Sequence, residues 1–283
     1  MRSLSVSLLA LVAMALAPCA FADIMCADLS TAFGHGTCNG AFFTQITARP
    51  TGSGNIDSFE RIQNNSAITE GFNTDARPYA ANNMAQTTAT FDHSELLSKF
   101  SIVPGGTVTD GGVVVPGGPG QMYLQLLLDI NQTKDKPLLS LDELAVNLSN
   151  TATDNPAITI QQNGTPDYPT LAGTNIYNLD GNAANFVKLN FALNPGSGEG
   201  DAFAFIPITA AQIAACGAGC EVEVYTAFGL QTGMGNNDGY EEWAAVKGAE
   251  SLQQTPEPAS MLLLGSCLVG LSAFARKRLR KRP

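Results

Sequence analysis

The chain predicts a mainly β fold: an antiparallel β-sandwich or jelly-roll-like body between an N-terminal signal helix and one C-terminal transmembrane helix. Three observations carry that expectation. The apolar runs of the middle are short, and several alternate, as in Phe186-Val-Lys-Leu-Asn-Phe-Ala-Leu193 and Cys220-Glu-Val-Glu-Val-Tyr-Thr-Ala-Phe228. Clusters of Asn, Gly, Pro and Asp punctuate them, at Thr153–Pro156, Gly164–Pro169, Asp180–Asn182, Asn194–Asp201 and Gly233–Gly239. The 28 glycines suit a turn-rich sheet better than a helical fold.

The chain opens like a signal peptide, residues 1–22. Arg2 supplies a positive start, Leu4 to Ala17 is apolar, and Ala20-Phe21-Ala22 before Asp23 is a small-residue cleavage site. That implies signal peptidase and the Sec translocon as partners and Asp23 as the mature N-terminus. A lipoprotein would need a small residue before Cys19, where Pro18 stands.

Residues 23–248 form the expected β-rich ectodomain, read as one domain. Strand signals fall at Met122–Ile130, at Leu139–Leu148 with partial alternation, at Phe186–Leu193 and at Cys220–Phe228. Ala157–Ile160 and Ala202–Ile208 are shorter ones. Helix is expected only in minor pieces, such as Ser94–Phe100 and Ala210–Ala215. Pro104–Gly120, rich in Gly and Pro, reads as a long flexible hairpin or loop. Residues 249–255 read as a polar stalk.

The end of the chain has three parts. Pro256-Glu257-Pro258 is held extended, because the residue before a proline is pushed out of the helical region. Residues 259–275 carry no charge, and as a helix they span roughly 25 Å against a hydrocarbon core of ~30 Å. Residues 276–282 hold six Lys and Arg, beginning Arg276-Lys277-Arg278, and the positive-inside rule keeps them cytoplasmic as a membrane stop. Everything before Pro256 then lies across the inner membrane.

Charge excludes one class of function. Seven of the 15 Lys and Arg lie in the two end segments, but only Glu257 of the 25 acidic residues does. Eight basic groups face 24 acidic ones in residues 23–254, a formal charge of −16. A nucleic-acid binder needs the opposite sign. Solubility or a divalent cation suits this balance.

Four of the six cysteines belong to the ectodomain: Cys26, Cys38, Cys216 and Cys220. In an oxidising compartment they read as disulfides, and of the three pairings the local ones, Cys26–Cys38 and Cys216–Cys220, are favoured. Their spacing does not read as a zinc ribbon.

Calcium is the one cofactor the residues suggest. Asp129-Ile-Asn131-Gln-Thr133 starts like an EF-hand loop, but Lys134 and Ser140 occupy the positions that need Gly and Glu. Asp180, Glu199, Asp201 and Asp238 sit in oxygen-rich turns and are the candidate ligands. The competing reading is plain turn chemistry. No nucleophile elbow, His-Glu-x-x-His or phosphate loop occurs. His93 in Asp92-His93-Ser94-Glu95 and His35 in a loop beside Cys38 do not form a triad pattern. The pair Glu241-Glu242 leaves a glycoside hydrolase open. Trp243, the single Trp, with Tyr240 would offer a sugar platform, against the simpler role of a core residue.

The tripeptide, apolar run and basic end, in that order over residues 255–282, resemble the PEP-CTERM signal, which an exosortase recognises on Gram-negative surface proteins. The resemblance implies an exosortase partner, a transient inner-membrane tether and an end point at the cell surface or in the exopolysaccharide matrix. Tails of this type are also filed under an ice-binding label, but nothing in this tail physically binds ice. Thr51–Gln63, Gly71–Pro78, Leu126–Asn131 with Leu138–Leu144, and Asn237–Trp243 are similar to stretches of exported PEP-CTERM proteins of unknown activity. That likeness carries no catalytic residue. A structural or adhesive role in exopolysaccharide or biofilm is therefore expected. The alternatives are a calcium-dependent carbohydrate-binding module and a polysaccharide-acting hydrolase.

Overall fold

The structure, a computed structural model, describes residues 23–50, 58–64, 67–86, 88–151, 153–158, 168–181, 183–196 and 198–246. The signal segment, the stalk, the tripeptide, the apolar run and the basic end lie outside the described residues. No helix of the described residues is long and apolar enough to cross a membrane.

In chain order the strands are β1 (Ile24–Asp28), β2 (His35–Cys38), β3 (Ala41–Pro50), β4 (Ser58–Ile62), β5 (Thr69–Phe72), β6 (Glu95–Leu96) and β7 (Ser101–Pro104). Then follow β8 (Met122–Asp129), β9 (Leu138–Ser149), β10 (Thr174–Asn178), β11 (Asn185–Asn190), β12 (Glu199–Ile208), β13 (Glu221–Phe228) and β14 (Glu241–Ala245). They make two seven-stranded sheets. The first runs β1-β11-β9-β13-β5, with β10 also on β9 and β6 also on β13. The second runs β2-β3-β12-β8-β14-β4, with β7 also on β8. This is not the eight-strand order of a jelly roll. Nor is the first sheet wholly antiparallel, because β1 pairs β11 in parallel.

One apolar cluster draws on both sheets. Leu124, Leu126 and Leu128 of β8 and Ala202, Ala204 and Ile206 of β12 enter it from the second sheet. Leu139, Leu141, Leu144, Val146 and Leu148 of β9 and Val222, Val224 and Phe228 of β13 enter it from the first. Period-2 alternation puts these side chains on one face of each strand. The opposite face of the first sheet has its own cover, where Phe72, Ala145, Tyr225 and Ala227 pack with Ile158 and Leu171.

The partial alternation of β9 has a cause. Ala227 of β13 pairs with Glu143, but Phe228 pairs with Leu141, so Asp142 is an extra residue. Such a bulge lets neighbouring residues leave the core side together. Leu141 and Leu144 stay in the core cluster while Asp142 and Glu143 do not.

Several expectations need correcting. Ser94–Phe100 is not a helix: Glu95–Leu96 pairs with β13 and only Leu97–Lys99 makes a 3-10 turn. β11 stops at Asn190, where the Asn190 side chain caps a 3-10 turn over Phe191–Leu193. Ala157 and Ile158 are not in a strand. The Gly/Pro stretch forms a mostly exposed hairpin-like loop, as expected, with an antiparallel bridge between Val108 and Val114 and a fully buried Val115. The expected helix at Ala210–Ala215 is present as α1 (Ala210–Cys216), the one α-helix among the described residues; it starts at a Thr209–Gln212 capping box, and the chain leaves it through Gly217 at φ +81°.

Candidate functional site

Part of the acidic composition is withdrawn from the surface. Among the described residues twelve carboxylates are buried: Glu60, Glu70, Asp92, Glu95, Asp129 and Asp142, with Glu143, Asp180, Asp201, Glu223, Glu241 and Glu242. Two groups of them stand out.

The first group gathers at the end of β8. Asp129 Oδ2 accepts from Gly198 N (2.7 Å), Asp201 Oδ2 from Ile130 N (2.8 Å) and Glu241 Oε2 from Asn131 N (3.1 Å). Glu241 Oε1 also accepts from Gln132 Nε2 at 2.7 Å. Glu242 takes Arg61, whose Nε donates at 2.6 Å while its guanidinium lies 4.0 Å from the Phe91 ring centre. Burial pushes the Asp129 carboxyl up to about 8, aided by the charge of Glu242. Burial raises Asp201 and Glu241 well above the ordinary carboxyl range too. Three carboxyl groups thus tie backbone N–H groups of neighbouring loops.

The second group lies on the bulged side of β9. Asp23, Asp142, Glu143 and Asp180 line a cleft of about 10 Å³, beside Ala184 and Asn185. Asp142 Oδ2 accepts from Leu230 N (2.8 Å), and Asp180 Oδ1 accepts from Asn185 N (2.9 Å). Gln231 Nε2 bridges Asp23 Oδ2 (2.6 Å) and Asp142 Oδ1 (2.9 Å). Burial, with the charges of Asp180 and Glu70 beside it, pushes Glu143 up to about 8. Burial takes Asp180 to about 6.

The proposed calcium ligands do not converge. Asp180 belongs to the second group, and Glu199 and Asp201 lie on β12 near the first. The sequence reading placed Glu199–Asp201 in a turn; it is the start of a strand whose Gly200 packs under the Leu127 side chain. Asp238 is exposed, and its Oδ1 accepts from Gly239 N at 2.9 Å. Asp180, Asp201 and Asp238 each accept from a backbone N–H of a turn or loop. Among the described residues no three His, Cys, Asp or Glu side chains are placed to hold one metal ion.

The cysteines pair locally. Cys26–Cys38 joins β1 of the first sheet to β2 of the second, with Cα atoms 5.3 Å apart. Cys216–Cys220 closes the exit of α1, with Cα atoms 5.1 Å apart. Of the remaining predicted residues, Asp23 is half-buried on Gln231. Ala20, Ala22, Pro256, Glu257, Pro258, Arg276, Lys277 and Arg278 lie outside the described residues.

Other chemistry fares worse. Trp243 is 1% exposed and sits in the core cluster, so it presents no platform to a sugar. His93 Nε2 lies 3.5 Å from Glu95, while Ser94 Oγ donates to Asp75, so no hydroxyl nucleophile meets that imidazole. His35 stands on β2, not in a loop. A shallow cleft of about 190 Å³ between β9, β10 and α1 is lined by Leu148, Ser149, Gly173, Gln212 and Cys216 among others, none of them a carboxylate.

No site geometry in the described body therefore announces an activity, and the decisive observation is at the C-terminus. Residues 254–278 match the PEP-CTERM protein-sorting motif. No curated protein and no solved structure matches the chain. The PEP-CTERM motif implies exosortase as the processing partner. It implies an exported protein processed at the membrane and sorted to the exterior. Sequence reasoning found that segment because its signal is local. It missed both buried carboxylate groups, which exist only after β8, β9, β12 and β14 come together.

Proposed function

We propose that this chain is a structural or adhesive component of the cell surface or exopolysaccharide matrix, delivered there by exosortase-dependent sorting. The observation that carries the reading is the PEP-CTERM motif that follows a two-sheet β body in the chain. The chain is the substrate of that sorting, and the chemistry belongs to the exosortase. The sequence Pro256-Glu257-Pro258 disfavours helix at Glu257, a pattern that suits a protease or transpeptidase cleft. The body supports a passive role in two ways. Its two sheets share a filled apolar core, and a disulfide clasps one sheet to the other at β1 and β2. A component exposed outside the cell gains resistance to unfolding from both.

The test is a pull-down of the exported protein with the producing cell's own exopolysaccharide, with calcium and with chelator. Retention in both conditions supports the matrix role. Retention only with calcium points to a calcium-dependent carbohydrate module. Absence of retention in either removes the polysaccharide from the reading.

A further inference from the structure

We infer that the cleft lined by Asp23, Asp142, Glu143 and Asp180 is the seat of the α-ammonium group that signal-peptide removal creates on Asp23. The inference rests on the reading of Ala20-Phe21-Ala22 as the cleavage site.

Four of the seven residues that line the cleft are acidic, the others being Ala184, Asn185 and Leu230. Asp142 and Glu143 reach it from the β9 bulge, Asp180 from the turn joining β10 to β11, and Asp23 from the residue before β1. Glu70 of β5 and the Tyr225 hydroxyl of β13 stand behind Glu143, and Tyr168 stands beside Asp180. Among the described residues none of the four cleft carboxylates is paired with a Lys, Arg or His. Glu143 is 3% exposed, and its Oε2 has no hydrogen-bond partner. A buried carboxylate oxygen left without a donor costs free energy, so the group either holds a proton or takes a cationic donor.

The chain itself brings a cation there. Ile24 N donates to Ala184 O at 2.8 Å, which pins β1 against the cleft wall. Gln231 Nε2 fixes the Asp23 side chain to Asp142. The Asp23 nitrogen is one bond from the Cα that carries this side chain. Hydrolysis of the Ala22–Asp23 amide adds one water, leaving a carboxylate on Ala22 and an amine on Asp23. That amine takes up a proton below its ordinary pKa of about 7.7–8.0. About 10 Å³ of open space lies beside Asp23, room for one water-sized group such as a –NH₃⁺ turned toward the carboxylates. That group offers three donors to a cleft of acceptors. A metal ion fits the cleft less well, because no three side chains there are placed to ligate one.

The experiment compares two chains that run to Pro283 in mild detergent and differ only at the front. One begins at Asp23, and the other carries Gly-Ser before it. The chain with the native amine should melt roughly 3–8 °C higher at pH 7. The gap should vanish above about pH 10, when the amine is neutral. Glu143→Gln in both chains should shrink the gap without unfolding either. Equal melting of the two chains at pH 7 overturns the inference. So does a calcium-induced rise in the chain that begins at Asp23, since the cleft would then be free for a metal. N-terminal sequencing of the exported protein tests the cleavage reading separately. A first residue other than Asp23 overturns that reading, and the inference for the exported protein, whatever the two defined chains do.

Discussion

The Thr226 hydroxyl donates to Glu60 Oε1 at 2.9 Å, and neither residue is exposed at all. Thr226 belongs to β13 of the first sheet and Glu60 to β4 of the second, so the bond crosses the core. Burial raises the Glu60 carboxyl well above its ordinary range, and the nearby Asp92 adds to the effect. Burial therefore favours the protonated form of Glu60 over the carboxylate. Glu60→Gln should fold with unchanged or greater stability at pH 7. Thr226→Val should lose about 1–3 kcal/mol, because the acceptor is left without its donor. Urea denaturation of the two variants checks both values.

The same burial sets the pH dependence. Asp92 and Asp129 are each pushed up to about 8, chiefly by burial, and Asp201 and Glu241 are raised well above the usual range. In the unfolded chain these groups ionise near 4. Between about pH 4 and pH 8 the folded state therefore binds more protons than the unfolded one, and stability falls as pH rises. The urea midpoint should be higher at pH 5 than at pH 8.5. An increase over that interval would mean that these groups are ionised in the fold.

The two disulfides should differ in weight. Cys26–Cys38 spans 12 residues and Cys216–Cys220 spans four. Loop entropy assigns them about 3 and about 2 kcal/mol. Replacing Cys26 and Cys38 together by Ser should lower the melting temperature more than replacing Cys216 and Cys220.

Trp243 should report the core. It is the sole Trp and nearly inaccessible. Its fluorescence should be blue-shifted, resist iodide quenching and ignore added oligosaccharide. Trp243→Ala should cost about 3–5 kcal/mol.

The strands legible in the sequence were those with one face in the shared core. β13 shows this best: Val222, Val224 and Phe228 alternate with Glu221, Glu223 and Tyr225. β9 was legible only in part, because the extra residue Asp142 breaks the period. β3 was missed, since Ala41 to Ile46 are all buried and show no alternation. β1 and β2 are short, and half of β2's residues are Gly or Cys, so neither signals a strand alone. Glu95–Leu96 was misread as helix because its partner, β13, lies more than a hundred residues later. The tail was legible throughout, since three adjacent segments carry its whole signal. The buried carboxylates were not, because burial is a property of packed sheets rather than of any local run.

The central claim is that this chain is sorted to the exterior through Pro256-Glu257-Pro258. The most direct measurement is the cellular fate of a variant with alanine at all three positions, followed against the parent by fractionation and by mass of the C-terminal peptide. The parent should be processed near Pro256–Pro258 and released, while the variant should keep residues 259–283 and stay in the inner membrane. Equal processing and release of the two would contradict it.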